Sequence, residues 1–130
     1  MTQADATLHI GDVSDRVGLS LRTVRYYEEQ GLVQPEGRTS GGFRLYTQAQ
    51  VDRLLAIKQM KPLGFTLEEM RELLDARAVL AGAQADETLR AASRQRLAEL
   101  ADHAETRIEK LRRSAAAGDE LVGQLRLETA

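Results

Sequence analysis

From Asp86 to about Ala117 the chain carries one helical pattern without interruption, and its apolar seam is narrow: Leu89, Leu97, Leu100, Ala104, Ile108, Leu111 and Ala115. The pairs 89/100, 97/108, 100/111 and 104/115 stand eleven residues apart, close to the natural helical repeat, so the seam keeps to one face. At ~1.5 Å per residue, roughly 30 residues reach about 45 Å. A folded body upstream cannot cover such a rod without leaving much of it in water. Its expected partner is a second copy, with Leu89, Leu97, Leu100, Ala104, Ile108 and Leu111 as the dimerisation residues. The tail, residues 119–130, holds Leu121, Val122, Leu125 and Leu127, enough apolar surface to dock.

The rest of the chain must supply a compact body. Residues 1–7 are polar and read as a flexible arm. Ile10 to Leu32 holds two short helical patterns divided by Gly18-Leu19-Ser20. Ser20 is placed to cap the second, and Gly31 to stop it. Two short helices joined by a glycine-containing turn make a helix-turn-helix. Val33 to Thr47 refuses helical periodicity, with Pro35, Gly37, Gly41 and Gly42 before the extended run Phe43-Arg44-Leu45-Tyr46. Alternation sets Phe43 and Leu45 on one side and Arg44 and Tyr46 on the other, which reads as a wing. Helices resume at two capping boxes, Thr47-Gln-Ala-Gln50 and Thr66-Leu-Glu-Glu69. Pro62 and Gly64 separate them, and Ala76–Ala85, with Gly82, ends the second and forms a linker. The expected division is residues 8–76 as a winged helix-turn-helix domain, 77–118 as linker and dimerisation helix, and 119–130 as a short tail.

A net charge of −2 over 130 residues argues at first against a polyanionic partner. The average misleads. Residues 1–65 carry a net +1 and residues 66–130 a net −3, and the segment Arg16–Tyr46 carries +2, its cations all arginine. Arginine's planar fork suits phosphate oxygens. On the second helix Arg22, Arg25, Tyr26 and Glu29 fall at helical spacing opposite Val24, and an arginine-bearing exposed face is what a recognition helix in a major groove requires. Tyr27 points the other way, toward Val13 and Val17, and belongs to the core.

The strings Ile10-Gly-Asp-Val-Ser-Asp-Arg-Val-Gly-Leu-Ser-Leu-Arg-Thr-Val-Arg-Tyr-Tyr-Glu-Glu-Gln-Gly-Leu32, Arg38-Thr-Ser-Gly-Gly-Phe-Arg-Leu-Tyr46 and Leu63-Gly-Phe-Thr-Leu-Glu-Glu-Met70 closely resemble the MerR family of bacterial transcription regulators over about residues 8–75. The resemblance implies a mainly α fold, a winged helix-turn-helix followed by a long dimerisation helix. It further implies a homodimer joined by an antiparallel coiled coil. The partner implied is double-stranded DNA at a palindromic promoter operator, with transcription controlled by bending and untwisting the spacer. RNA polymerase and an unidentified small-molecule effector are the other partners it implies. By motif position Arg22, Arg25 and Tyr26 would touch DNA from the helix, with Ser20 and Thr23 at its start. Arg44, Tyr46, Gly42 and Arg38 would do so from the wing, and Lys58 and Lys61 from a smaller second wing. The competing reading is a ligand-independent architectural protein or a repressor acting by occupancy.

Departures from the family narrow the signal. Metal-sensing members place cysteines near the start of the dimer helix and in the loop after it, whereas Ala76–Ala85 and Ala117–Thr129 hold neither Cys nor His. The sequence has no cysteine at any position, so thiol-based sensing, disulfides, thiolate zinc sites and cysteine nucleophiles are excluded. Drug-sensing members append a large ligand domain, and only about a dozen residues remain here after the expected coil. His9 replaces the usual Ser or Thr at the first helix cap. His103 lies near Glu99, Asp102 and Glu105, but these spread over too wide an arc for a metal site, and no cofactor is expected. Glu68-Glu69 complements a helix dipole. No nucleophile–base pair or phosphate-cradling glycine loop suggests an enzyme. Without an apolar leader or an 18-residue apolar run, the expected location is cytoplasmic.

Overall fold

The computed structural model describes residues 8–130, so the flexible arm expected at residues 1–7 lies outside the described residues. The element order is β1 (Leu8–His9), α1 (Ile10–Val17), α2 (Leu21–Glu29), β2 (Gly37–Arg38), β3 (Arg44–Tyr46), α3 (Gln48–Met60), a 3-10 turn (Lys61–Leu63), α4 (Leu67–Ala81) and α5 (Glu87–Glu128). The expected mainly α winged helix-turn-helix with a long terminal helix is the fold observed.

Local signals set the first half. The Asp12 carboxylate accepts from the His9 N–H at 3.3 Å, so α1 has an anchored start although His9 is not the usual cap residue. Gly18, at φ 70°, ends α1 in the left-handed region that disfavours a side chain. Ser20 accepts from the Thr23 N–H at 3.1 Å and opens α2 as expected. β3 lies between β1 and β2 in an antiparallel sheet, pairing Leu8 with Tyr46 and Arg38 with Arg44. Between β2 and β3 the Thr39 N–H donates to the Phe43 carbonyl at 2.8 Å and the Gly42 N–H to the Thr39 carbonyl at 2.9 Å, closing a tight wing tip.

At α3 the structure corrects one expected device. Thr47 occupies the cap position, but its side chain makes no capping bond and its hydroxyl is buried without a partner. Gln50 is drawn away instead: its Oε1 accepts the N–H of Gln34 in the upstream loop at 3.0 Å. The second box forms as expected, with Thr66 accepting from the Glu69 N–H at 3.1 Å and Glu69 accepting from the Thr66 N–H at 3.0 Å.

The core gathers Val13, Val17, Val24, Tyr27, Leu54, Ile57, Met70 and Leu74 between α1, α2, α3 and α4, and it includes Leu100 of α5. Leu100, 1% exposed, and Ala104 therefore face the protomer's own core. This differs from a seam reserved for a second copy. The α4–α5 contact is clamped by ion pairs: Arg96 reaches Glu72 through two bonds of 2.9 and 3.0 Å, and Arg107 reaches both Glu69 oxygens at 3.2 Å. Arg107 also lies 4.9 Å from the centre of the Phe65 ring.

Two boundaries shift. α4 runs through Ala81, beyond the linker expected from residue 77, because alanine favours helix and Gly82 is the first residue to leave it. Arg90 then donates to the carbonyls of Val79, Leu80 and Gly82, closing the end. α5 continues through Gly118 and Gly123 to Glu128, so residues 119–128 of the expected tail prolong the rod. Each helical glycine costs about 1 kcal/mol, which the surrounding Ala, Leu and Glu offset. Its 42 residues span roughly 63 Å, and every residue from Glu109 onward is exposed. Among the described residues no helix is long and apolar enough to cross a membrane.

Candidate nucleic-acid interface

One face of α2 packs inward through Val24 and Tyr27. That burial leaves Arg22, Arg25, Tyr26 and Glu29 exposed on the opposite face, as helical spacing requires. The Ser20 hydroxyl donates to the Thr23 hydroxyl at 2.9 Å, holding the first turn of α2 closed while both residues remain at the surface edge.

Beside α2 opens a cleft of about 510 Å³ lined by Leu19, Arg22, Thr23, Tyr26, Tyr27, Lys58, Lys61 and Pro62. Lys58 from the last turn of α3 and Lys61 from the 3-10 turn thus come beside Arg22 of α2, a convergence that sequence separation hides. The Lys58 Nζ donates to the Val17 carbonyl at 2.8 Å and so caps α1 while keeping its charge in the cleft. Lys61 is exposed and its amine makes no hydrogen bond or ion pair among the described residues.

The wing flanks α2 from the other side. Arg38 and Gly42 are exposed, and the Arg38 guanidinium donates to the Gly42 carbonyl at 3.0 Å, bracing the tip. Gly42 holds φ 85°, which a side chain would strain. Tyr46 requires a correction: it is fully buried, and its hydroxyl donates to Glu28 at 2.6 Å, so it anchors the wing and offers nothing to a partner. Alternation did group Arg44 with Tyr46, but the side they share faces α2. Burial, reinforced by the Glu28 carboxylate, pushes the Tyr46 phenol well above its ordinary pKa and keeps it a donor. Arg44 is 30% exposed and gives its Nε to Glu28 at 2.8 Å.

Two features carry no signal in the sequence. Glu28 joins helix to wing, yet its partners lie 16 and 18 residues away, a separation with no periodic signature. Phe43, which alternation sets on one side of a ribbon, is 66% exposed at the wing tip. Of the expected dimerisation residues, Leu97 and Ile108 are half-buried, and Leu89 and Leu111 stand 49% and 50% exposed. His103 turns toward Glu69 of α4, its Nδ1 3.6 Å from a carboxylate oxygen.

A family model described as MerR HTH family regulatory protein matches residues 8–77, and a second, MerR, DNA binding, matches residues 51–126. The mercuric resistance operon regulatory protein of Bacillus cereus is 49% identical over 65 residues, covering 50% of this chain and 49% of that protein. The chain spans about half the length of the curated relatives it matches, which are transcription regulators. Among solved structures, PbrR691 of Ralstonia metallidurans CH34, crystallised with lead(II), is 30% identical with a TM-score of 0.54, covering 92% of this chain and 86% of that one. HiNmlR, a MerR family regulator lacking the sensor domain and bound to promoter DNA, shares the fold at 19% identity and a TM-score of 0.63, covering 91% and 89%. The sequence has no cysteine to hold a thiophilic ion such as lead, and among the described residues no cluster of His, Asp and Glu is arranged to hold a metal.

Proposed function

The chain belongs to the MerR family of helix-turn-helix regulators, and from that premise we propose that it binds a palindromic promoter operator as a homodimer and controls transcription by deforming the DNA. One observation carries the reading: Arg22, Arg25 and Tyr26 are exposed on a helix flanked by a cationic wing on one side and by Lys58 and Lys61 on the other. α2 enters the major groove, with Ser20 and Thr23 at its leading turn, while Arg38 and Arg44 meet the flanking phosphates and Gly42 shapes the wing tip beside them. The exposed rod of α5 pairs antiparallel with a second copy through Leu89, Leu97, Ile108 and Leu111, and holds the two recognition helices at a set separation. DNA then adapts to the protein, bending at a cost of order 1–6 kcal/mol that wing–phosphate contacts offset. Such a protein acts in the cytoplasm beside RNA polymerase and catalyses no reaction. An effector would work by favouring one angle between the halves.

The test recovers duplexes from a random-sequence pool with the purified chain and measures their affinity at fixed salt. Arg22→Ala and Arg25→Ala should each cost about 1–3 kcal/mol. Unchanged affinity in both, or a wild-type chain that selects no duplex, refutes the reading. Sedimentation of the free chain as a monomer refutes the dimer, and an unbent site in energy-transfer measurements refutes control by deformation.

A further inference from the structure

We infer that Glu28 is a positioning residue, which locks the wing and its Arg44 onto the recognition helix in the geometry that grips DNA phosphate. The inference rests on the DNA-binding reading above.

A carboxylate on the face of a protein that meets a polyanion is unfavourable by charge alone, so its presence on α2 asks for a compensating role. Glu28 is 16% exposed, and both of its oxygens are occupied: Oε1 accepts from the Arg44 Nε at 2.8 Å and Oε2 from the Tyr46 hydroxyl at 2.6 Å. Arg44 and Tyr46 stand two apart on β3, on the same side of the strand, so one carboxylate can bridge both. Among the described residues these are the only side-chain hydrogen bonds joining α2 to the wing. The strands of the wing are two and three residues long, so its own ladder restrains its aim weakly. Tyr46 is fully buried and gives the carboxylate a fixed post.

The division of labour within Arg44 is the decisive detail. Its Nε is spent on Glu28, while its two terminal nitrogens have no partner among the described residues. Held by one edge, the guanidinium presents the other edge at a defined angle, and a bidentate grip on phosphate depends on that angle. Without Glu28 the arginine keeps its charge and loses its direction.

Charge and position predict opposite signs, which makes the test sharp. If Glu28 only cancelled part of the cationic field, Glu28→Gln would tighten DNA binding and Glu28→Asp would leave it unchanged. If it positions, both variants weaken binding, because Gln lacks the charge-assisted bonds and Asp falls one methylene short. The experiment measures anisotropy of a fluorescent duplex selected by the wild-type chain, over a range of salt. The expected result is about 60-fold weaker binding at about 0.1 M salt for both variants and a salt slope shallower by about 1.8, because Arg44 releases one phosphate in each half-site. In an Arg44→Ala background Glu28→Gln should weaken binding no further. Should Glu28→Gln fail to fold, Tyr46→Phe removes one of the two bonds and should still weaken binding about threefold with a shallower slope. Equal or tighter binding by the Gln variant, or the same weakening with Arg44 already absent, overturns the role of Glu28. A wild-type chain that binds no duplex overturns the DNA-binding reading along with it.

Discussion

Lys61→Ala isolates one electrostatic contact with little disturbance of the fold. Lys61 is exposed at the start of the 3-10 turn, and its amine has no partner among the described residues, so nothing structural goes with it. Lys58, three residues earlier, would be a poor choice because its amine caps the Val17 carbonyl at 2.8 Å. Lys61 lines the same cleft as Arg22. If each protomer of a dimer sets Lys61 on one phosphate, the variant releases two fewer counterions. At about 0.9 per phosphate, the slope of log affinity against log salt becomes shallower by about 1.8. Relative to 1 M salt, where the contact contributes nothing, affinity at about 0.1 M falls by about 1.8 decades, roughly 60-fold or about 2.5 kcal/mol. Anisotropy titrations of the selected duplex between about 0.1 and 0.5 M salt measure both numbers. A variant with weaker binding and an unaltered slope would show that Lys61 acts through the fold, and unaltered binding would remove the second wing from the interface. Discrimination between operator sequences should stay as it was, since a phosphate contact positions without reading bases.

Two further outcomes follow from the α4–α5 packing. Leu100→Ala, at a position 1% exposed against the protomer's own core, should destabilise the chain by about 2–5 kcal/mol at any protein concentration. Leu111→Ala, 50% exposed on the free part of the rod, should weaken self-association alone; urea titrations at two concentrations, with sedimentation, separate the two effects, and the reverse pattern would refute the packing argument. The Glu69 carboxylate is held below its ordinary pKa first by the Thr66 N–H, then by Arg107 and His103. A depressed acid stabilises fully above its unfolded pKa of about 4.3 and loses that contribution as pH falls through the lower folded value. Glu69→Gln should therefore reduce stability at neutral pH and flatten the decline below about pH 4, as read from urea midpoints across that range; a parallel pH profile would count against it.

Much of this protein was determined by sequence alone, because the signals involved are local. Ser20 and Thr66 cap the helices they precede, and Gly18 and Gly42 take up positive φ where turns were expected. The 3.6-residue period separates Val24 and Tyr27 from Arg22, Arg25 and Tyr26 without reference to any neighbour. Tertiary structure decided whatever depends on which element lies across the way. Tyr46 alternates like an exposed residue, but its side of the strand lies against Glu28 and is buried. Gln50 fits a capping box, yet a loop N–H 16 residues upstream competes for its oxygen. The long seam divides in the same manner. Periodicity shows that Leu89, Leu100 and Leu111 share a face; only the packing of α4 shows that Leu100 is buried within the protomer while Leu89 and Leu111 remain half exposed. A repeat records which residues look in one direction, and the surrounding fold settles what each of them meets.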